Sequence, residues 1–128
     1  MSEPAQSQTD STAKAITDQM LKKISPKDAE ELIKKNADNS NFVILDVRTP
    51  KEFAEEHIKD AIIVDFRSTT FENDLDKFDR NKTYIVYCRV GNRSGKATEL
   101  MKQKGFKKIY DLEGGIFRWK KDGLPVQK

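Results

Sequence analysis

Apolar residues in this chain come in short dense runs between charged stretches, and the spacing within each run predicts its element. Residues 42–47 (FVILDV) follow the turn formers Asn39, Ser40 and Asn41, and read as a strand covered on both faces. Residues 61–64 (AIIV) read as a second buried strand. Residues 83–87 (TYIVY), β-branched and aromatic, give the clearest strand, and 108–112 make one more. Helical spacing lies between the strands. Ser25, Pro26 and Asp28 supply a cap, a first-turn proline and an early acid for a helix over 26–35, with Ala29, Leu32 and Ile33 inward. Thr49, Pro50 and Glu52 form a capping box opening a short helix to about residue 56. Phe71, Leu75 and Phe78 are spaced as one short helix within the polar stretch 67–81, which ends in a turn at Asn81 and Lys82. Ala97, Leu100 and Met101 mark a helix stopping at Gly105, and Ile116, Phe117 and Trp119 one between Gly115 and Gly123. A further short helix is expected over 15–23, after a polar, disordered lead at 1–13.

Buried strands alternating with helices over short links predict an α/β fold with a mainly parallel sheet and helices on both faces. At 128 residues the chain has the size of one domain, expected over 14–128. A hydrophobic fraction of 36% beside a charged fraction of 35% is globular because the apolar residues cluster. The net charge of +3 is small and the signs alternate, which argues against nucleic acid as a partner. No apolar run approaches the ~20 residues of a membrane span. The amino terminus lacks the basic start and apolar stretch of a signal peptide. That suits a cytoplasmic protein, but an exported chain with its signal removed would start the same way, so the compartment stays open.

Chemistry concentrates at the single cysteine, which excludes an internal disulfide and a cysteine-rich metal site. Cys88 directly follows the strand at 83–87, and in such sheets ligands bind at the carboxyl ends of strands. Arg89, Val90, Gly91, Asn92, Arg93 and Ser94 then form a tight loop that runs into a helix. Backbone N–H groups, the helix start, Arg89, Arg93 and Lys96 are expected to stabilise a thiolate there. The competing reading is a buried, inert cysteine. A lone thiol after a strand, with a glycine and two arginines within five residues, favours the nucleophile.

The sequence Cys88, Arg89, Val90, Gly91, Asn92, Arg93, Ser94 resembles the active-site motif of the rhodanese family, C-x-x-G-x-R-S/A. The likeness extends over about residues 25–126 through Leu45 to Arg48, Glu52 and Phe53, His57 and Ile58, Leu112 to Gly115, and the ending from Trp119 to Gly123, Leu124, Pro125 and Val126. It departs from the family pattern at Glu56, Asp60, Ile63 and Asp65, in a connecting segment away from the cysteine loop.

The resemblance implies a sulfurtransferase working by ping-pong chemistry. Cys88 takes sulfur from a small anionic donor such as thiosulfate, holds it as a persulfide, and yields it to a thiol, to cyanide or to an acceptor protein. No cofactor and no metal is implied. Backbone N–H groups of residues 89–93 would hold the persulfide, and Gly91 would let the backbone approach where a Cβ would obstruct. Arg93 is expected chiefly to pin the loop by hydrogen bonds to carbonyls or a carboxylate. Arg89 and Asn92 point outward toward the donor's sulfonate end, and Arg67 belongs either to the same rim or to plain solvated surface. Asp46 and Arg48 are read as structural charges supporting the site.

The same fold resembles that of dual-specificity phosphatases, whose loop is one residue longer. The C-x4-R spacing here therefore favours sulfur over phosphate or arsenate. A sulfur carrier and a noncatalytic interaction module of the same fold are the other readings. His57, the one histidine, is expected to be a hydrogen-bonded structural residue, and Trp119 and the phenylalanines to be core. A monomer is the default.

Overall fold

The computed structural model describes residues 19–128, so the expected lead at 1–13 and residues 15–18 of the first expected helix lie outside them. Five parallel strands form one sheet in the order β1-β5-β4-β2-β3. They are β1 Met20–Ile24, β2 Phe42–Asp46, β3 Ile62–Ile63, β4 Thr83–Tyr87 and β5 Lys108–Leu112. The helices are α1 Pro26–Lys35, α2 Pro50–Glu55, α3 Phe71–Leu75, α4 Asn92–Gln103 and α5 Gly115–Lys121. No helix among the described residues is long and apolar enough to cross a membrane.

Strand alternation sorts the core into two layers. Leu45, Tyr84, Val86 and Cys88 pack on one face of the sheet with Phe71 and Leu75 of α3 and Ala97 and Met101 of α4. Ile44, Ile85, Tyr87 and Leu112 pack on the other with Ala29 of α1 and Ile116 and Trp119 of α5. Right-handed crossovers place helices on both faces because the chain crosses the sheet one way from β1 to β3 and returns from β3 to β5. The central strand β4 is thereby covered on both sides, and its carboxyl end delivers Cys88.

Local signals hold at the helix starts. Ser25 accepts from the Asp28 N–H, and Thr49 and Glu52 form the expected reciprocal capping box. Gly105 (φ +93°) follows the end of α4, where its N–H donates to the Lys102 carbonyl.

Four expectations change. Residues 20–24 form the edge strand β1 instead of a helix, pairing in register from Met20 against Lys108 to Ile24 against Leu112. Five residues carry too little local preference to resist that pairing. The strand expected over 61–64 shrinks to two paired residues, Ile62 and Ile63, and is not buried, because β3 is an edge with β2 as its one neighbour and Ile62 outside. It is entered through Asp60 at φ +67°, a left-handed conformation that glycine takes without cost. The helix read from Phe71, Leu75 and Phe78 stops before Phe78, which is half-buried with its ring edge against Tyr84. Phe117 is 54% exposed and not core. Ile116 and Trp119 already supply the inward face of α5, and Phe117, about 100° round the helix from Ile116, falls outside it.

Candidate active site

Cys88 leaves β4 with its side chain 1% exposed, and its sulfur lies inside the turn made by the residues that follow. The N–H of Gly91 donates to Sγ at 3.1 Å and that of Ser94 at 3.4 Å. The Ser94 hydroxyl lies 3.6 Å from Sγ. Two backbone donors converging on one sulfur form an anion cradle of the kind successive N–H groups make in a tight turn. Of the span 89–93 expected to point N–H groups inward, Gly91 does so; the second donor, Ser94, lies just beyond it. Gly91 takes φ +116°, and a Cβ built there meets nothing within 4 Å. Glycine is thus required by its backbone conformation and not, as the sequence suggested, by close approach.

Arg93 reaches across to α2, its Nη1 and Nη2 donating to Glu52 Oε1 at 2.8 Å and Oε2 at 3.0 Å. The carboxylate foreseen as its partner is therefore the capping-box residue. This two-point contact ties the cysteine loop to α2, in a geometry that a guanidinium provides and an ammonium does not. The Arg93 hydrogen bonds hold the Glu52 carboxyl at a pKa of about 2 against 4.5 ordinarily. A carboxyl so depressed stabilises the fold above its ordinary range, and the contribution fades as pH falls toward 2. Glu52→Gln should therefore cost about 1–2 kcal/mol at neutral pH. In urea titrations the gap between the two proteins should close between pH 4.5 and 2; a gap that persists at the acid end would mean that the ion pair is not its source.

Behind the loop, the first turn of α5 holds the backbone of the cysteine itself. The N–H groups of Ile116 and Phe117 donate to the carbonyls of Cys88 and Arg89, both at 3.0 Å. Ser94, fully buried, donates through its hydroxyl to Asp111 Oδ1 of β5 at 2.7 Å.

Asp46 and Arg48 form a buried ion pair beside the neighbouring strand tip. Arg48 Nη2 donates to Asp46 Oδ2 at 2.7 Å and to the Glu56 carbonyl at 2.6 Å, and Nε reaches both carboxylate oxygens. The guanidinium carbon lies 5.6 Å from the centre of the Tyr87 ring. Burial opposes the Arg48 charge, but the Asp46 carboxylate outweighs it and leaves the group raised.

An open cleft of about 750 Å³ adjoins the loop, lined by Arg48, Glu52, Arg89, Phe117 and Lys121 among others. Arg89 and Val90 are exposed at the loop tip, and Asn92 is exposed at the start of α4. Lys96 is exposed too, but lines a different cleft with Ser68, Thr69 and Glu72. Arg67 is exposed, its backbone bonded to Asp65, and does not line the cleft beside the loop. His57 donates from Nδ1 to the Phe53 carbonyl at 2.9 Å and stacks on the Phe53 ring, as a structural histidine does. Trp119 is buried and donates to the Pro125 carbonyl.

The sequence marks Glu52 only as a helix cap and Gly115 only as a turn residue, both within the family motifs, and gives Asp111 no role. Their signal is the reach of other segments to the loop, which no local pattern carries.

A parallel α/β sheet with a lone thiol in an N–H cradle at the tip of its central strand defines a class of cysteine-loop domains. The Rhodanese-like domain model matches residues 25–122, and the chain belongs to that family. It is 31% identical over 99 residues to a sulfurtransferase of Allochromatium vinosum, a match covering 77% of this chain and 91% of that one. It is 36% identical over 101 residues to the thiosulfate sulfurtransferase GlpE of Coxiella burnetii, covering 79% and 89%. Other curated relatives are much longer, and the chain spans 55% or 32% of them. The crystal structure of a rhodanese-related protein from Thermoplasma volcanium superposes with a TM-score of 0.72 at 34% identity, covering 83% of this chain and 97% of that one. These matches make the chain a member of the rhodanese-type sulfurtransferase family.

Proposed function

We propose that the protein moves sulfane sulfur from thiosulfate, or from a persulfide or polysulfide, to a thiophilic acceptor through Cys88. The observation that carries this reading is the pair of N–H groups, from Gly91 and Ser94, aimed at a thiol in a six-residue loop closed by Arg93. An anionic sulfur is stabilised there without reorganisation when it forms. Cys88 thiolate attacks the outer sulfur of thiosulfate, the sulfur–sulfur bond of the donor breaks, and sulfite leaves with the bonding pair. The enzyme keeps a persulfide anion. Cyanide or a thiolate then attacks the outer sulfur of that persulfide and returns Cys88 as thiolate, so each half-reaction conserves charge and atoms. Arg89 and Asn92 flank the path of the donor's sulfonate, while Arg93, Asp46 and Arg48 hold the loop and its neighbouring strand end.

A protein acceptor is favoured over a small thiol by one further observation. Ile62, Val90 and Phe117 are the large hydrophobic side chains exposed among the described residues; Val90 lies in the cysteine loop and Phe117, whose N–H donates to the Arg89 carbonyl, lines the cleft beside it. Apolar side chains left exposed at a reactive thiol suit a face that an acceptor protein covers.

Intact mass after incubation with thiosulfate, followed by cyanide and thiocyanate assay, tests the reading. Wild type should gain one sulfur atom and release it to cyanide, and Cys88→Ser should do neither. No adduct with thiosulfate or polysulfide would point to an interaction module, and turnover of a phosphate ester to the phosphatase alternative.

A further inference from the structure

A nucleophilic thiol must lose its proton, yet Cys88 is 1% exposed and the protein's one histidine is bonded to Phe53 elsewhere. From inside, the sulfur is joined to a carboxylate through one hydroxyl. Ser94 Oγ stands 3.6 Å from Sγ and 2.7 Å from Asp111 Oδ1, with Ser94 fully buried and Asp111 6% exposed. We propose that Ser94 and Asp111 form a proton relay, in which the Asp111 carboxylate accepts the Cys88 thiol proton through the Ser94 hydroxyl. The two groups then share one negative charge. This inference rests on the reading of Cys88 as the nucleophile and adds a positioning role for Asp111.

The balance follows from what a hydroxyl holds, one proton and two lone pairs. With Asp111 ionised, Ser94 donates to the carboxylate and offers a lone pair to the thiol, whose S–H points to it. Two protons then shift together: the S–H proton passes to Ser94 Oγ as the Ser94 proton passes to Asp111. The carboxylic acid so formed donates to Ser94, whose hydroxyl turns to the sulfur and joins the N–H groups of Gly91 and Ser94 as a third donor. No proton enters or leaves, and the charge moves from carboxylate to sulfur. The Gly91 carbonyl, 3.3 Å from Ser94 Oγ, is a longer and uncharged competitor for that hydroxyl.

The surroundings of Asp111 suit a carboxyl that changes state. Burial raises its pKa, opposed by the Ser94 hydrogen bond and by Lys23, and reinforced by Glu113. Lys23 of β1 is its register partner, and Val86 of β4 opposite is apolar. From α4, Glu99 lines the same small cleft, with Gly95 and Thr98, separate from the cleft at Arg89. On the sulfur side the facing charge is Arg93, which feels the Cys88 thiolate. The cleft at Asp111 provides an exit by which the relayed proton reaches solvent without crossing the donor's path.

The test uses no sulfur donor, so its outcome is independent of whether the protein transfers sulfur. Thiolate absorbance followed against pH should rise in two steps in wild type, as coupled groups do. Asp111→Asn should show a single step, below the upper wild-type step, and Ser94→Ala should lose the lower step. In wild type labelled with 13C at aspartate carboxyls, the Asp111 signal should also titrate in two steps, collapsing to one in Cys88→Ala, a readout that survives if Asp111→Asn does not fold. A single thiolate step in wild type, or an Asp111 signal indifferent to Cys88→Ala, would overturn the relay and leave Asp111 a brace for Ser94. Persulfide loading by thiosulfate would still decide the sulfurtransferase reading by itself.

Discussion

Replacing Asp46 with alanine should lower the stability of the folded protein by about 3–5 kcal/mol, because it strands a buried guanidinium. Asp46 is fully buried and Arg48 4% exposed, so neither charge has water to fall back on. The carboxylate also accepts the Arg48 backbone N–H at 2.9 Å, fixing the chain as it leaves β2. Removing it leaves the Glu56 carbonyl and the Tyr87 ring as the remaining partners of the guanidinium. Urea unfolding at neutral pH measures the loss. Removing both charges, as in Asp46→Leu with Arg48→Met, should recover much of it, since the desolvation of the pair disappears with the pair. A loss below about 1 kcal/mol for Asp46→Ala would mean that Arg48 swings into the adjoining cleft and is solvated there.

The second large effect is expected at Gly115, which packs against the carbonyls of the cysteine loop. Its φ is +61°, and a Cβ there would sit 2.3 Å from the Arg89 carbonyl oxygen and 2.6 Å from that of Cys88. Both contacts are backbone, so no rotamer change relieves them. Gly115→Ala should cost about 1–3 kcal/mol in overpacking, with about 1–2 kcal/mol more for the left-handed conformation. The strain is relieved by pushing the Cys88 loop outward, which breaks the N–H cradle. Sulfur loading by thiosulfate should then slow by about 100-fold, the scale of a 1 Å misplacement. Gly123→Ala is the control: φ is +83° but nothing lies within 4 Å, so it should bear the conformational cost alone and load normally. Equal loading by both variants would show that α5 does not position the loop.

Much of the sheet was legible in the chain because its strands are dense apolar runs ended by turn residues. β5 appears at 108–112 as expected and β4 at 83–87, and the helices that start at Ser25 and Thr49 do so with the expected caps. The errors fell where the local signal is weak. Residues 20–24 carry Met, Leu and Ile among lysines, a pattern that suits a helix or an edge strand equally, and pairing with β5 decided it. Phe117 is as hydrophobic as its neighbours, and the orientation of α5, not its composition, put it at the cleft.

The site divides the same way. The sequence by itself determined that Cys88 ends a buried strand and enters a glycine-bearing loop, because strand, turn and helix start are local properties of consecutive residues. It also determined that an arginine stands five places on, with the geometry to hold a loop. The tertiary structure alone decided that this arginine meets Glu52, 41 positions away, that Asp111 stands behind Ser94, and that Gly115 lies against the Cys88 carbonyl. Such contacts depend on which strands become neighbours, and that choice is made by burying two faces of one sheet at once, a requirement no segment can express alone.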